Sequence, residues 1–400
     1  MKKTLMVIVL ALVMGLGFSG ISLGDEVGVT DTEIVIGSHQ DLSGPIAVWG
    51  IRWKEGLEYK AREINEAGGI HGRKIRLVIE DNAYDPKKAI MVTNKMINMD
   101  KVFMFVGNMG SPTAGATKPI ISKKKIPQLA PATAASLFFD PHDRYSFAGF
   151  TPYYDQARLV VKWFLKNKKY KNFGLMYQDD EMGSIMKQGF DDQLAEFKMK
   201  LVAAESYKRG ATEFSSQIAK LRKAGSEVVF LATIVRETVG ALKEAKKIGW
   251  DVQMAGLSPT ANPWVHDLAL KAGFSANGFI ATTQAIVIYE DSHLQTVRDF
   301  WKKYVEWFGG NKPDSASTGG YAGIHLFAEA AQRAGRNLTR EGIVDAFETF
   351  RKFPDVTFGG PPWTYTNTNH QGCFGAIVHE VQKDKFRPIS EALDYREMTL

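Results

Sequence analysis

The sequence predicts an α/β protein in which one plan occurs twice, each time as a parallel sheet flanked by helices. Three observations carry that prediction. Short β-branched runs alternate with amphipathic segments, so helices fall between strands. The same order begins again near Asp155. The 400 residues are 44% apolar, 24% charged and 11% aromatic, which supplies core for two domains and lies outside the disordered range.

In the first unit, Glu33-Ile-Val-Ile-Gly37 reads as a strand. Ile51, Leu57, Ala61 and Ile64 then recur near helical spacing up to the Gly68-Gly69 stop. Ile75–Glu80 is a second strand, 87–99 a helix, and 102–107 a buried strand. A helix over 113–123 leads to a short strand at 128–130. In the second unit a helix over 156–166 precedes a strand at 172–177. Met182, Ile185, Met186, Phe190, Leu194 and Phe197 mark one face of the next helix. Thr212 with Ser215 opens another, carrying Phe214, Ile218 and Leu221 and closed by Gly225. Strands follow at 227–232 and 254–257. The last third holds helices near 293–308, 318–334 and 340–350 and a strand at 375–379. Units of this kind place a ligand at the carboxyl ends of their strands.

The first 24 residues read as an export signal. Lys2 and Lys3 precede an apolar run from Leu5 to Leu16, and Ser22-Leu-Gly24 fits a small-x-small cleavage site before Asp25. The run is shorter than the ~20 apolar residues of a membrane anchor. Cleavage after Gly24 would remove two positive charges from a formal +6, leaving too little to argue for nucleic acid. The single cysteine, Cys373, excludes an internal disulfide and reads as a small buried apolar residue.

Most motifs that would signal chemistry fail. Gly110-Ser-Pro-Thr-Ala-Gly-Ala-Thr117 has P-loop spacing, but Ala116 stands where the phosphate-binding lysine is required. What remains is a glycine-rich turn that presents amide N–H groups at a helix start. No G-x-G-x-x-G opens either unit, and after residue 24 no G-x-S-x-G or H-E-x-x-H occurs. The runs Lys123–Lys125 and Lys166–Lys169 read as solvated helix ends. Neither a metal nor a cofactor is expected.

Four blocks carry a resemblance. Asp41-Leu-Ser-Gly-Pro-Ile-Ala-Val-Trp-Gly50 is similar to the S-G-P-x-A-x-[aromatic]-G turn of the branched-chain amino-acid (Leu/Ile/Val) periplasmic binding proteins. Ile64-Asn-Glu-Ala-Gly-Gly-Ile-His-Gly-Arg-Lys74 resembles their I-N-x-x-G-G-I-x-G-x-K stretch. Asp81–Pro86 is similar to the D-D/N-x-x-D-P loop, and Ala130–Ala135 to S-P-A-A-T-A. Order and spacing are kept over nearly the whole chain after residue 24.

The resemblance implies a two-lobed type I periplasmic binding fold with a three-segment hinge. Lobe 1 would hold 25–151 plus 285–372, and lobe 2 152–284 plus 373–400, with crossings near Thr151, Gln284 and Gly372. By the same resemblance Trp49 closes over the ligand. Ser111 binds a carboxylate by hydroxyl and amide, Ala132 adds a backbone amide, and Thr133 a hydroxyl. Three donors at one carboxylate, with a helix dipole behind them, form strong charge-assisted bonds. Amino-acid binders of the family hold the α-ammonium with acids where this chain has Tyr153 and Ser258, and a family aromatic is replaced by Ile234. An unpaired ammonium in a closed cleft costs several kcal/mol. A lysine-free pocket with Trp49, Tyr153, Tyr154 and Ile234 therefore fits an apolar or aromatic carboxylate better than an amino acid, with Asp155 the one nearby acid able to substitute.

The expectation is a monomeric periplasmic protein that delivers a small ligand to an ABC permease in the inner membrane, without nucleic acid and without catalysis. Its alternative is an exported receptor read by a sensor kinase. An exported α/β enzyme is the remote third reading, disfavoured by the absence of a nucleophile, acid–base pair or metal motif.

Overall fold

In the computed structural model, residues 26–355 and 357–399 are described, so the export segment and its cleavage point lie outside the described residues. The first five strands are β1 (Glu33–Gln40), β2 (Lys74–Asp81), β3 (Met104–Val106), β4 (Gln128–Leu129) and β5 (Ser146–Phe147). They form a parallel sheet in the order β2-β1-β3-β4-β5. Between them run α1 (Ala47–Glu66), α2 (Pro86–Asn98) and α3 (Ser111–Lys123). The α2 start is written in its sequence: Asp85 accepts the amides of Lys87 and Lys88, and Pro86 fills a first-turn position that needs no donor.

The second unit opens with α4 (Tyr153–Asn167), β6 (Phe173–Gln178), α5 (Glu181–Glu196) and β7 (Ala203–Tyr207). It continues with α6 (Ser215–Lys223), β8 (Val228–Ala232), α7 (Val235–Lys247), β9 (Gln253–Gly256), α8 (Trp264–Lys271) and β10 (Ile280–Thr283). The chain then forms α9 (Gln295–Trp307), α10 (Ser315–Ala334) and α11 (Arg340–Phe347). A small hairpin of β11 (Thr364–Thr366) and β12 (Asn369–Gly372) follows, and then β13 (Ala376–Gln382) and β14 (Lys385–Leu393). The second sheet has the order β14-β13-β10-β9-β8-β6-β7. It is parallel from β7 to β10, but β13 and β14 add to it antiparallel. Every residue of β8 is buried, as a central strand covered on both faces requires.

After β10 the chain returns to the first sheet, where α10 lies along α1 and reaches β3, and β12 meets β5. The α1–α10 approach is close enough to need glycine. A Cβ on Gly320 would stand 2.2 Å from the Trp53 carbonyl oxygen. The passages between the sheets are tied together: Gln284 Oε1 accepts the Thr151 amide at 3.2 Å, Gln284 Nε2 donates to Gly149 O at 3.2 Å, and the Thr151 hydroxyl donates to Gly375 O.

Candidate functional site

Between the two sheets lies a cavity of about 130 Å³. All seven residues singled out from the sequence line it: Trp49, Ser111, Ala132, Thr133, Tyr153, Ile234 and Ser258.

Trp49 is placed by the turn after β1. Asp41 Oδ2 accepts the Ile46 amide at 2.8 Å, and Oδ1 takes those of Ser43 and Gly44, which fixes the entry into α1. From its first turn Trp49 packs against the hydrophobic clusters of both sheets. Ser111 is placed by the glycine turn. Gly110 takes φ 92°, a left-handed conformation that favours glycine, and is itself the N-cap of α3. Ser111 is therefore the first residue inside the helix, so capping α3 is not its task. Beneath this turn Asn82 Nδ2 donates to Met109 O at 3.2 Å, and Asn108 Oδ1 accepts the His39 amide at 3.1 Å.

Ser111 Oγ and Thr133 Oγ1 are 2.6 Å apart, and the Tyr153 hydroxyl lies against both. Tyr153 is buried, and that burial pushes its phenol above the ordinary tyrosine value, so it is a neutral O–H. Three hydroxyls thus meet in front of the α3 N-terminus, where an anion is favoured. Ala132 departs from expectation. It lines the cavity, but its amide donates to Asn108 O at 2.9 Å in a parallel bridge between the two loops. That N–H is spent within the protein, whereas the Tyr153 hydroxyl stands beside those of Ser111 and Thr133.

From the second sheet, Ile234 precedes α7 and closes one wall with apolar surface. Ser258 opens a short 3₁₀ turn, and its amide is held by Gln156 Oε1 at 2.9 Å. The structure corrects two further readings. Tyr154 does not line the cavity: one residue along α4 from Tyr153, it turns outward and donates its hydroxyl to Asp192 Oδ2 at 2.9 Å. Asp155 is also turned away, accepting Gln371 Nε2 at 3.1 Å.

The sequence reading missed Trp53, Phe150, Phe358 and Trp363, which make the cavity strongly aromatic, and Asp355. Asp355 is the one charged lining side chain among the described residues. Its Oδ1 accepts the amides of Thr357 and Phe358 and its Oδ2 that of Gly360, at 2.9–3.2 Å, while burial raises its pKa. That carboxylate builds its own loop. Among the described residues no lysine or arginine lines the cavity. Among the described residues no group of three or more His, Cys, Asp or Glu is placed to hold a metal. No described helix is long and apolar enough to cross a membrane.

The family profile described as periplasmic binding protein matches residues 33–385. The Leu/Ile/Val-binding protein of Escherichia coli (strain K12) is 26% identical over 269 residues, 67% of this chain and 70% of that protein. Among solved structures, a fatty acid ABC transporter substrate-binding protein from Thermomonospora curvata is 21% identical at a TM-score of 0.84, covering 94% of this chain and 96% of that one. A branched-chain amino acid ABC transporter protein from Thermus thermophilus with bound valine is 20% identical at a TM-score of 0.82, covering 92% and 99%.

Proposed function

This chain belongs to the periplasmic binding protein family, whose members are substrate-binding proteins rather than enzymes, and from that premise we propose that it is the substrate-binding component of an ABC importer. Its ligand is a small carboxylate with an apolar or aromatic body, held between two lobes that close around it. The observation that carries this reading is the meeting of the Ser111, Thr133 and Tyr153 hydroxyls on one wall of an aromatic cavity that offers no free acid.

The hydroxyls and the α3 dipole stabilise a carboxylate, while Trp49 and the aromatic walls cover its body. Among the described lining residues Asp355 is the one acid that an α-ammonium could meet. Tyr153 and Ser258 are neutral, Asp155 faces Gln371, and Asp355 is committed to three backbone amides. Similarity to a fatty acid ABC transporter substrate-binding protein and to a branched-chain amino acid transporter protein with bound valine is compatible with a carboxylate common to both ligand types. We further propose lobes of 25–151 plus 285–372 and of 152–284 plus 373–400, a monomeric periplasmic protein, and an inner-membrane ABC permease as partner.

Calorimetry tests the ligand class by pairing 3-phenylpropanoate with phenylalanine and 4-methylpentanoate with leucine. The deaminated acids are expected to bind more tightly. Tight binding of leucine or phenylalanine with none of the matching acid overturns this reading of Tyr153 and Ser258.

A further inference from the structure

At the edge of the cavity the two sides of the cleft meet through side chains to which no ligand role has been given, and of these Ser315 also lines the cavity. Trp264, at the start of α8, donates its indole N–H to Asp314 Oδ2 at 2.8 Å. Ser315 donates its hydroxyl to Ala261 O at 2.8 Å. The helix α8 lies between β9 and β10 of the seven-stranded sheet, whereas Asp314 caps α10, which packs on α1 beside the five-stranded sheet. Both bonds therefore cross from one lobe to the other. Farther along, the Arg209 guanidinium is paired with Asp180 at 3.2 Å and lies 5.0 Å from the centre of the Tyr84 ring, across the same division.

Three features distinguish these bonds from incidental surface contact. Asp314 is buried, and its oxygens divide their work: Oδ1 caps the Ala316 and Ser317 amides, and Oδ2 takes the indole. An acceptor already ordered by its own helix loses little further freedom when the lobes meet. Burial raises the Asp314 pKa, and the Ser317 amide and the Trp264 indole that donate to it oppose that rise. The bonded residues also continue the cavity wall on each side. Ser258 and Pro259 line it and lead to Ala261 and Trp264, while Ser315 and Thr318 line it directly after Asp314.

We propose that the Trp264–Asp314 and Ser315–Ala261 pairs form a clasp that sets ligand affinity by stabilising the closed state, with Trp264 and Asp314 outside the cavity lining. The apparent dissociation constant of a protein that binds in one conformation scales inversely with the fraction in that conformation. The clasp raises that fraction, and it must break before a bound molecule leaves. Trp264 and Asp314 are thus positioning residues for binding. This inference rests on the two-lobe binding reading, and its test needs no ligand.

Small-angle scattering compares the unmodified protein with a Trp264→Phe/Ser315→Ala variant, both without added ligand. Phenylalanine keeps most of the aromatic body and removes the N–H. The open-to-closed ratio is expected to rise roughly two- to tenfold, the loss from one hydrogen bond, and to be read as a larger radius of gyration. Circular dichroism and a melting curve establish that the variant is folded. If the double variant fails to fold, Trp264→Phe alone carries the same comparison. Equal radii for the folded variant and the unmodified protein overturn the clasp. Calorimetric failure of every carboxylate tested would instead remove the ligand reading and leave this comparison standing.

Discussion

The hydroxyl oxygens of Ser111 and Thr133 stand 2.6 Å apart although the residues are 22 positions apart in the chain. Ser111 comes from the turn after β3 and Thr133 from the loop after β4, so adjacent strands of one parallel sheet deliver both to its carboxyl edge. Thr133 Oγ1 also accepts the Ala135 amide at 3.1 Å, which leaves its proton free to point at an anion or at Ser111.

Ser111→Ala removes one donor and leaves the cavity wall in place. Binding of 3-phenylpropanoate is expected to weaken by about 1.5–3 kcal/mol, or roughly tenfold to somewhat over a hundredfold in dissociation constant. Calorimetry on a variant with an unchanged circular dichroism spectrum measures it. An unchanged affinity would place the carboxylate elsewhere.

Gln284→Leu tests the tie between the crossing segments. The Gln284 amide serves Thr151 N and Gly149 O at once, and leucine leaves the buried Thr151 N–H without its acceptor. The expected cost is about 1–3 kcal/mol of stability. It should be visible as a lower guanidinium midpoint with the slope retained.

Acid sensitivity should trace in part to His39. Its Nδ1 faces the Asn82 amide donor at 2.8 Å, because Asn82 Oδ1 is already accepting the Tyr84 amide, while Nε2 meets Thr117 Oγ1 at 3.2 Å. A second ring proton would point at a donor. Burial lowers the pKa to about 3. Below about pH 6.5 the unfolded chain takes up a proton that the folded ring refuses. The contribution of His39 is therefore complete above that pH and is lost as pH falls toward about 3. The slope is at most about 1.4 kcal/mol per pH unit. Denaturant midpoints of His39→Gln between pH 6.5 and 4 should fall less steeply than those of the unmodified protein.

Export predicts a processed N-terminus. Edman sequencing of the periplasmic fraction is expected to begin at Asp25. Recovery of the full-length chain from the membrane fraction would contradict cleavage.

The alternation of strand and helix was legible because β1, β2 and β8 are strongly β-branched and α2 and α5 carry clear apolar faces. β7 was not: Ala-Ala-Glu-Ser-Tyr is a half-exposed edge with weak β propensity, and only its pairing with β6 makes it a strand. The antiparallel course of β13 depends on where the last crossing returns the chain, and a local run of residues does not encode that. At the cavity, the resemblance picked out seven residues that line it, but it could not tell Tyr153 from Tyr154. One step along a helix turns the side chain by about 100°, and packing against α5 selects which of the two faces inward. Trp363 and Phe150 had no local signature. Trp363 is drawn to the cavity by its indole bond to Gly149 O at 2.9 Å, a contact 214 residues long in sequence.

The glycine contact between α1 and α10 bears on how such a protein changes diet. Trp53 and Thr318 face the cavity from two helices whose spacing is fixed backbone to backbone at Gly320, so the width of the chamber at that end is a property of the helix pair. A methyl group at Gly320 would push the helices apart and carry both walls with them, altering the molecules admitted without replacing any residue that contacts them. In lineages descended from this protein, ligand preference can drift through positions that a comparison of cavity residues alone would score as identical.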